Sequence, residues 1–293
     1  MMTAILARTG TFVMVAILLE QAKCVTSLAS SVPPVFLPTS QSAMIKQAAS
    51  AIQTALLDDK IHLQTIRLPL SEAMYSESEE GFVADRAIGW QGGPQETYRY
   101  LSPLVRQLLQ SVDTLGGGSN AAVLPRIQEQ VMLDFDGSAL MTSESPAGPL
   151  GDAQALIQPN TDAYYYPKTI PTIESQMVVQ SNGTTVSRLF LLVNPAWRDV
   201  SSFGFLAPKE KVQRDLLDTY PTTYAVDQFV VRGQKCSLLK VWPHDWCVFV
   251  SNLPYDNDNN GDKSLATFLG SFEERPPYNV MDELILAALQ KKN

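Results

Sequence analysis

The chain has 293 residues, which allows one large domain or two small ones. Apolar residues at 45% and charged residues at 18% are ordinary for a chain that buries a core, and three Cys exclude a disulfide scaffold at this length. A net charge of −8 disfavours a nucleic-acid-binding domain, and two His leave little material for a metal site or a His-based triad.

The N-terminus differs from the rest. Arg8 precedes an unbroken apolar run over 11–19, half of the ~20 residues that span a bilayer. Glu20 ends the run and small residues follow (Ala22, Cys24, Ser27, Ala29), the order of a secretory signal. Residues 25–42 are rich in Ser, Thr and Pro and carry no charge, as a plastid transit segment does. Through residue 57 the acid is Glu20, against Arg8, Lys23 and Lys46, which leaves 29 of the 30 acids and 19 of the 22 bases to residues 58–293. A signal joined to a transit-like stretch resembles the bipartite presequence of algae with secondary plastids, with Leu28 in the place of the usual aromatic at the cleavage motif. The expectation is a presequence over 1–38 and one domain over 39–293, with no transmembrane helix in the mature chain. Simple secretion is the alternative location, and Asn182, Gly183 and Thr184 would then form a glycosylation sequon.

Ser40 or Ser42 can cap a helix to about residue 57, with Ile45, Ala48, Ala49, Ile52 and Leu56 on one face. A strand over 61–68 is stopped by Pro69, and 71–87 reads as an acidic loop. After Pro94, the spacing of Tyr98, Leu101, Val105, Leu108 and Val112 predicts an amphipathic helix ended by the glycines from Gly116. Residues 130–135 read as a strand and 137–171 as irregular chain with a short helix over 152–158. Two strands, 177–180 and 188–193, join through 181–183; the second is continuously apolar, as expected when both faces are covered. A helix over 208–220 turns Val212, Leu216 and Leu217 inward. Runs over 224–231, 236–242 and 246–251 predict an antiparallel meander. A turn centred on Pro243 to Asp245 would pair Cys247 with Val241, leaving Cys236 and Cys247 as free thiols. Asp262 caps a predicted helix carrying Leu265, Phe268, Leu269 and Phe272. A last helix starts at Asn279, with Asp282 and Glu283 early and Lys291 and Lys292 late, both favourable to the helix dipole. The pattern predicts one α/β domain: a mixed central sheet flanked by helices, with a C-terminal antiparallel meander.

Motifs with chemistry are few. Gly116, Gly118 and Ala121 match a dinucleotide fingerprint by letter, but they follow a helix rather than a strand, so they read as a helix end and no cofactor is expected. Asp256, Asp258, Asn260 and Gly261 match half of a calcium loop, yet Thr267 stands where the bidentate Glu belongs, so no metal is expected. Gly89, Trp90, Gln91, Gly92 and Gly93 precede a helix, where free N–H groups can meet an anion; Glu96 opposes that, and a tight structural turn is the other reading. Asn194, Pro195 and Trp197 follow an apolar strand, at the strand ends where open α/β sheets hold ligands. Asn194 could hydrogen-bond a ligand and Trp197 could stack on it; an Asn-Pro turn with an anchoring Trp is the other reading. If Asn194 stands in an extended surface loop, Asn194→Ala damages function at a stability cost within ~0.5 kcal/mol. The catalytic residues, if any, are unknown.

The Arg67-Leu-Pro69 strand end, the Gly89 to Gly93 run, Val193-Asn-Pro-Ala-Trp197, and the Tyr220-Pro then Trp242-Pro-x-x-Trp246 pattern together resemble the plant and algal domain-of-unknown-function family nineteen-ninety-five. That family includes the chloroplast factor named for low photosystem II accumulation. The resemblance implies a plastid location and an auxiliary role in photosystem assembly, with thylakoid or photosystem proteins as partners; with the presequence and the poverty of catalytic groups it favours a non-enzymatic factor, and the net charge argues against nucleic acid. It implies no active site. An enzyme acting on a nucleotide-like or phosphorylated small molecule at the strand C-ends is the alternative, by fold analogy.

Overall fold

Ser40 opens the first helix, its side chain accepting a hydrogen bond from the Ala43 N–H at 3.1 Å, so one of the free N–H groups of the first turn is satisfied. In the computed structural model, which describes residues 33–70, 93–116, 123–133, 137–161, 168–181, 183–205, 207–251 and 266–290, this helix is α1 (Gln41–Leu57). Helix α2 (Pro94–Ser111) starts at a proline, whose fixed φ suits a first helical position. Both helices bury the expected apolar stripes: Ile45, Ala48, Ile52 and Leu56 on α1, and Leu101, Val105 and Leu108 on α2.

One nine-stranded sheet carries the fold, in the order β11-β10-β9-β8-β1-β7-β4-β3-β2. The strands are β1 (Leu63–Arg67), β2 (Arg126–Leu133), β3 (Ser138–Glu144), β4 (Ala153–Ile157), β7 (Leu189–Val193), β8 (Thr222–Val231), β9 (Gln234–Val241), β10 (Trp246–Val250) and β11 (Thr267–Phe272). The four central strands β8, β1, β7 and β4 run parallel; β2–β3–β4 and β8–β9–β10–β11 add antiparallel neighbours on each side. A mixed α/β single domain with a C-terminal meander is therefore the observed architecture. A separate hairpin pairs β5 (Val178–Ser181) with β6 (Thr184–Ser187). Every residue of β7 is buried, as its unbroken apolar run requires.

Four expectations are corrected. The stretch 137–171 contains strands β3 and β4 rather than a short helix over 152–158; β4, Ala-Gln-Ala-Leu-Ile, has helix-forming residues, but pairing with both β3 and β7 overrides that preference. The helix expected over Leu265 to Phe272 is edge strand β11, with Phe268 opposite Phe249 on β10. The strand expected over 188–193 does not pair through the 181–183 turn: that turn closes the small β5–β6 hairpin, and β7 joins the main sheet. Cys247 pairs with Leu239, not Val241, because the His244 N–H donates to the Val241 carbonyl at 2.8 Å and centres the turn nearer Pro243. Cys236 and Cys247 are free thiols, as expected, and burial pushes each up to about 11.

The helix expected over 208–220 is a short α4 (Lys209–Val212) continued by one π-helical turn, Gln213–Leu217, with Val212 and Leu216 buried. Helices α3 (Ile170–Gln176) and α5 (Tyr278–Gln290) complete the described elements. Residues 1–32 of the presequence expected over 1–38, the acidic loop 71–87, Gly89 to Gly92, Gly118, Ala121, Asn182, the Asp256 to Asp262 segment and Lys291 to Lys292 lie outside the described residues.

The sheet's two faces are covered differently. Alternation along the strands sends Ile66, Leu191, Tyr224 and Leu239 to the first face, where α1 and α2 lie across them in one continuous core. On the second face, Leu156, Phe190 and Leu192 meet α3 and the π turn through Ile173 and Leu216. Ala225, Leu238 and Val248 meet α5 through Met281, with Cys236 and Ile285 beyond them. The second face is thus covered by two separate layers.

Candidate functional site: a basic cleft between two covers

Between those layers a cleft of about 330 Å³ reaches the sheet surface. Its floor is the second face of β1, β8 and β9 and includes Thr65, Arg67 and Lys240. On one side stand Trp197, Leu216 and Tyr220; on the other, Trp242, Trp246 and the chain from Glu273 to Arg275. The π turn lines it through Leu216 and Leu217. Such turns are rare and frequently mark functional sites.

Register fixes how the cations meet. Arg67 on β1 lies opposite Ala225 on β8, and Ala225 lies opposite Lys240 on β9. Two basic side chains therefore rise from one face on either side of the smallest side chain that a strand commonly carries. Arg67 donates from Nη1 to the Pro195 carbonyl at 3.1 Å and from Nη2 to the Trp197 carbonyl. Lys240, 7% exposed, donates to the His244 carbonyl at 2.6 Å and lies 5.5 Å from the centre of the Trp242 ring. Neither forms an ion pair among the described residues.

Asp227 follows on the same face of β8, 6% exposed. Its carboxylate receives Arg198 at 3.3 Å on one oxygen and Arg275 at 3.1 Å on the other. Arg198 belongs to the chain leaving β7 and Arg275 to the chain entering α5, so one carboxylate joins the two covers across the cleft. Burial holds the Arg67 guanidinium down to about 10; Asp227 works against that shift, and the like charges of Arg198 and Arg275 add to it. Burial also lowers Lys240, opposed by Asp245 and Cys247. Tyr220 donates its hydroxyl to Glu174 at 3.1 Å, and burial, then that carboxylate, raises the phenol.

The three residues expected after β7 take different places. Asn194 has φ 47, a left-handed conformation that Asn tolerates, rather than the extended loop expected. Its side chain accepts from the Leu68 N–H at 2.7 Å and donates to the Leu68 carbonyl at 2.7 Å. The amide thus continues the β1–β7 ladder one step past the strands. Pro195 presents its carbonyl to Arg67. Trp197, 2% exposed, walls the cleft and packs on Phe203 with ring centres 5.3 Å apart. Gly93 caps α2, and the Pro94 carbonyl accepts from Gln158 at 3.2 Å, at the C-end of β4. Gly93 therefore stands at the same end of the sheet as Asn194, but it does not line the cleft.

Arg67 was visible in sequence as part of a strand-end motif. Asp227 and Lys240 were not singled out. A signal existed: each is a charge inside an apolar strand, in register with inward neighbours Ala225 and Leu238. Arg198 and Arg275 had none, because they lie in irregular chain. Among the described residues, no group of three or more His, Cys, Asp or Glu could hold a metal ion, and no helix is long and apolar enough to cross a membrane.

The sequence profile of a family described as domain of unknown function (DUF1995) matches residues 38–283. The chain belongs to this family. DUF1995 therefore spans both covers, Arg67, Asp227, Lys240 and Arg275. No curated protein and no solved structure matches the chain.

Proposed function

We propose that the chain is an auxiliary binding protein of the plastid, not an enzyme, and that it acts by holding an acidic group in the cleft between the two covers. The observation that carries this reading is the pair Arg67 and Lys240, two cations with carbonyl partners and, among the described residues, no carboxylate in ion-pair contact. A chain of net charge −8 has concentrated four cations, these two with Arg198 and Arg275, around one buried acid. Such a field draws anions into a cleft walled in part by aromatic side chains. The wider role in photosystem assembly, with thylakoid proteins as partners, rests on the family resemblance and on the composition of residues 1–38.

Thermal-shift titration of the chain with a panel of carboxylates, phosphates and nucleotides tests the cleft. A ligand at a hundred times its Kd adds about 2.7 kcal/mol to stability. Arg67→Gln should abolish the response, whereas anions stabilising the chain and the variant alike would overturn the assignment. A fluorescent fusion of residues 1–38 should enter the plastid; its appearance in the medium would sink the location.

A second reading has its own support. The cleft includes Arg67, the last residue of β1, and Trp197, just past β7; open α/β sheets place ligands near such strand C-ends, so an enzyme acting on a phosphorylated or nucleotide-like molecule is the competitor. Phosphorus NMR of bound ligand separates the two: an unchanged ligand spectrum over hours favours binding, and product peaks favour turnover.

A further inference from the structure

We infer that the acidic group held in the cleft is a doubly charged phosphate monoester on a small organic molecule. This rests on the reading of the cleft as an acid-binding site and goes one step further, to the charge and shape of the ligand.

Charge comes first. Four cations face the cleft, and the buried carboxylate of Asp227 is shared by Arg198 and Arg275. The acids of the lining, Glu273 and Glu274, are exposed, so water screens them. Two positive charges, on Arg67 and Lys240, form no ion pair among the described residues. A singly charged ligand would neutralise one of them; a doubly charged one neutralises both. Arg67 also feels repulsion from Arg198 and Arg275, which Asp227 opposes, and an anionic ligand adds to that opposition.

Donor count points the same way. A guanidinium has five N–H donors and an ammonium three. Arg67 spends two on Pro195 and Trp197, and Lys240 spends one on His244. Five N–H donors remain, more than the two oxygens of a carboxylate use well and suited to the three terminal oxygens of a phosphate monoester. Spacing allows the two heads to share one group. Arg67 and Lys240 lie two strands apart, roughly 9.5 Å between backbones, and Ala225 between them leaves the floor open.

Size and walls select the rest. A volume of about 330 Å³ is at the low end of small-ligand sites. Trp197, Trp242, Trp246 and Tyr220 supply apolar wall for the organic part of an ester.

Isothermal titration at pH 8 with two probes tests the inference. Phenyl phosphate and benzenesulfonate share a ring and a tetrahedral head with three free oxygens. At pH 8 the phosphate is doubly charged, since its second pKa is near ~6, and the sulfonate carries one charge. Phenyl phosphate should bind at least about tenfold tighter, a difference of about 1.4 kcal/mol. Lys240→Met, which replaces a buried ammonium with an unbranched apolar chain, should bring the ratio close to one. Arg67→Lys, which keeps the charge, should retain most of it and serves if the first variant does not fold. Equal binding of both probes by the unaltered chain would overturn the double-charge inference while leaving the acid-binding reading intact. Failure of both probes, with no anion in the thermal-shift panel effective, would remove that reading as well. A phosphoserine peptide that binds where phenyl phosphate does not would overturn the small-molecule assignment.

Discussion

The two faces of the sheet obey different rules. On the first, α1 and α2 cover the strands without a break, and a single apolar cluster runs from Met44 to Phe249. On the second, the cover is split, and the gap over β1, β8 and β9 carries Arg67 and Lys240, with buried Asp227 on the same face tying Arg198 to Arg275. Helices α1 and α2 are long enough to show an apolar period and to shield several strands each. The second face is covered by seven-residue α3, four-residue α4 with its π turn, and α5, set apart from one another. The first face is a continuous core whose buried polar groups, such as Gln64, are spent on hydrogen bonds within it, and the second combines a core with a charged floor, so stability and binding should separate when the two are altered.

The sharpest test of that separation is Ile52→Ala on α1, a fully buried side chain of the continuous face. It should cost roughly 2–5 kcal/mol in chemical denaturation and leave anion binding by the folded fraction unchanged. Altered affinity at full occupancy of the fold would break the comparison. Asp227→Ala should come next. It removes the buried carboxylate that joins the two covers, at a cost of about 3 kcal/mol, the low end for breaking a buried pair because Arg198 is half exposed. Unlike Ile52→Ala, it should also change anion affinity, since it frees two arginines that the carboxylate now occupies. Asn194→Ala should cost about 2 kcal/mol, two hydrogen bonds at about 1 each, with the left-handed backbone adding strain for Ala. That reverses the expectation of a small stability effect and a large functional one. Comparison with Asn194→Gly, which tolerates the φ of 47, isolates the amide's share. Equal stability of the Gly variant and the unaltered chain would show the ladder contact to be dispensable.

The same contrast explains what could be read in advance. Helices α1 and α2 and the meander β8–β10 were legible because burial on one side, or on alternate residues, leaves a period in the sequence. Strand β7 was legible because its burial is total. Strand β4 was not, since Ala and Gln prefer helices and the pairing partners that override them lie elsewhere in the chain. In β3, Ser138, Ala139, Met141 and Ser143 face inward, small or polar side chains that do not announce a core. Strand β11 has apolar residues at spacings of three and four, which fit a helix, and only its pairing with β10 distinguishes it. At the site, the charges of Asp227 and Lys240 were visible as breaks in apolar strands. Their convergence with Arg198 and Arg275 depends on a register across β1, β8 and β9 that no local pattern encodes.

The position of β1 has a consequence for how the molecule is made. It is the first strand among the described residues, yet it stands in the middle of the sheet, and its partners arrive late: Leu63 pairs with Phe190 and Thr65 with Thr222. Even the Asn194 contact that extends the ladder spans 126 positions. Loop closure over such distances must precede the reward of pairing, which makes folding slow. A chain growing from its N-terminus carries both edges of β1 exposed until β7 and β8 have been synthesised. The two cations that face each other across Ala225 come from opposite ends of that interval, Arg67 early and Lys240 late. The cleft therefore does not exist in an N-terminal fragment that ends before β9, and its appearance follows the closing of the sheet around β1.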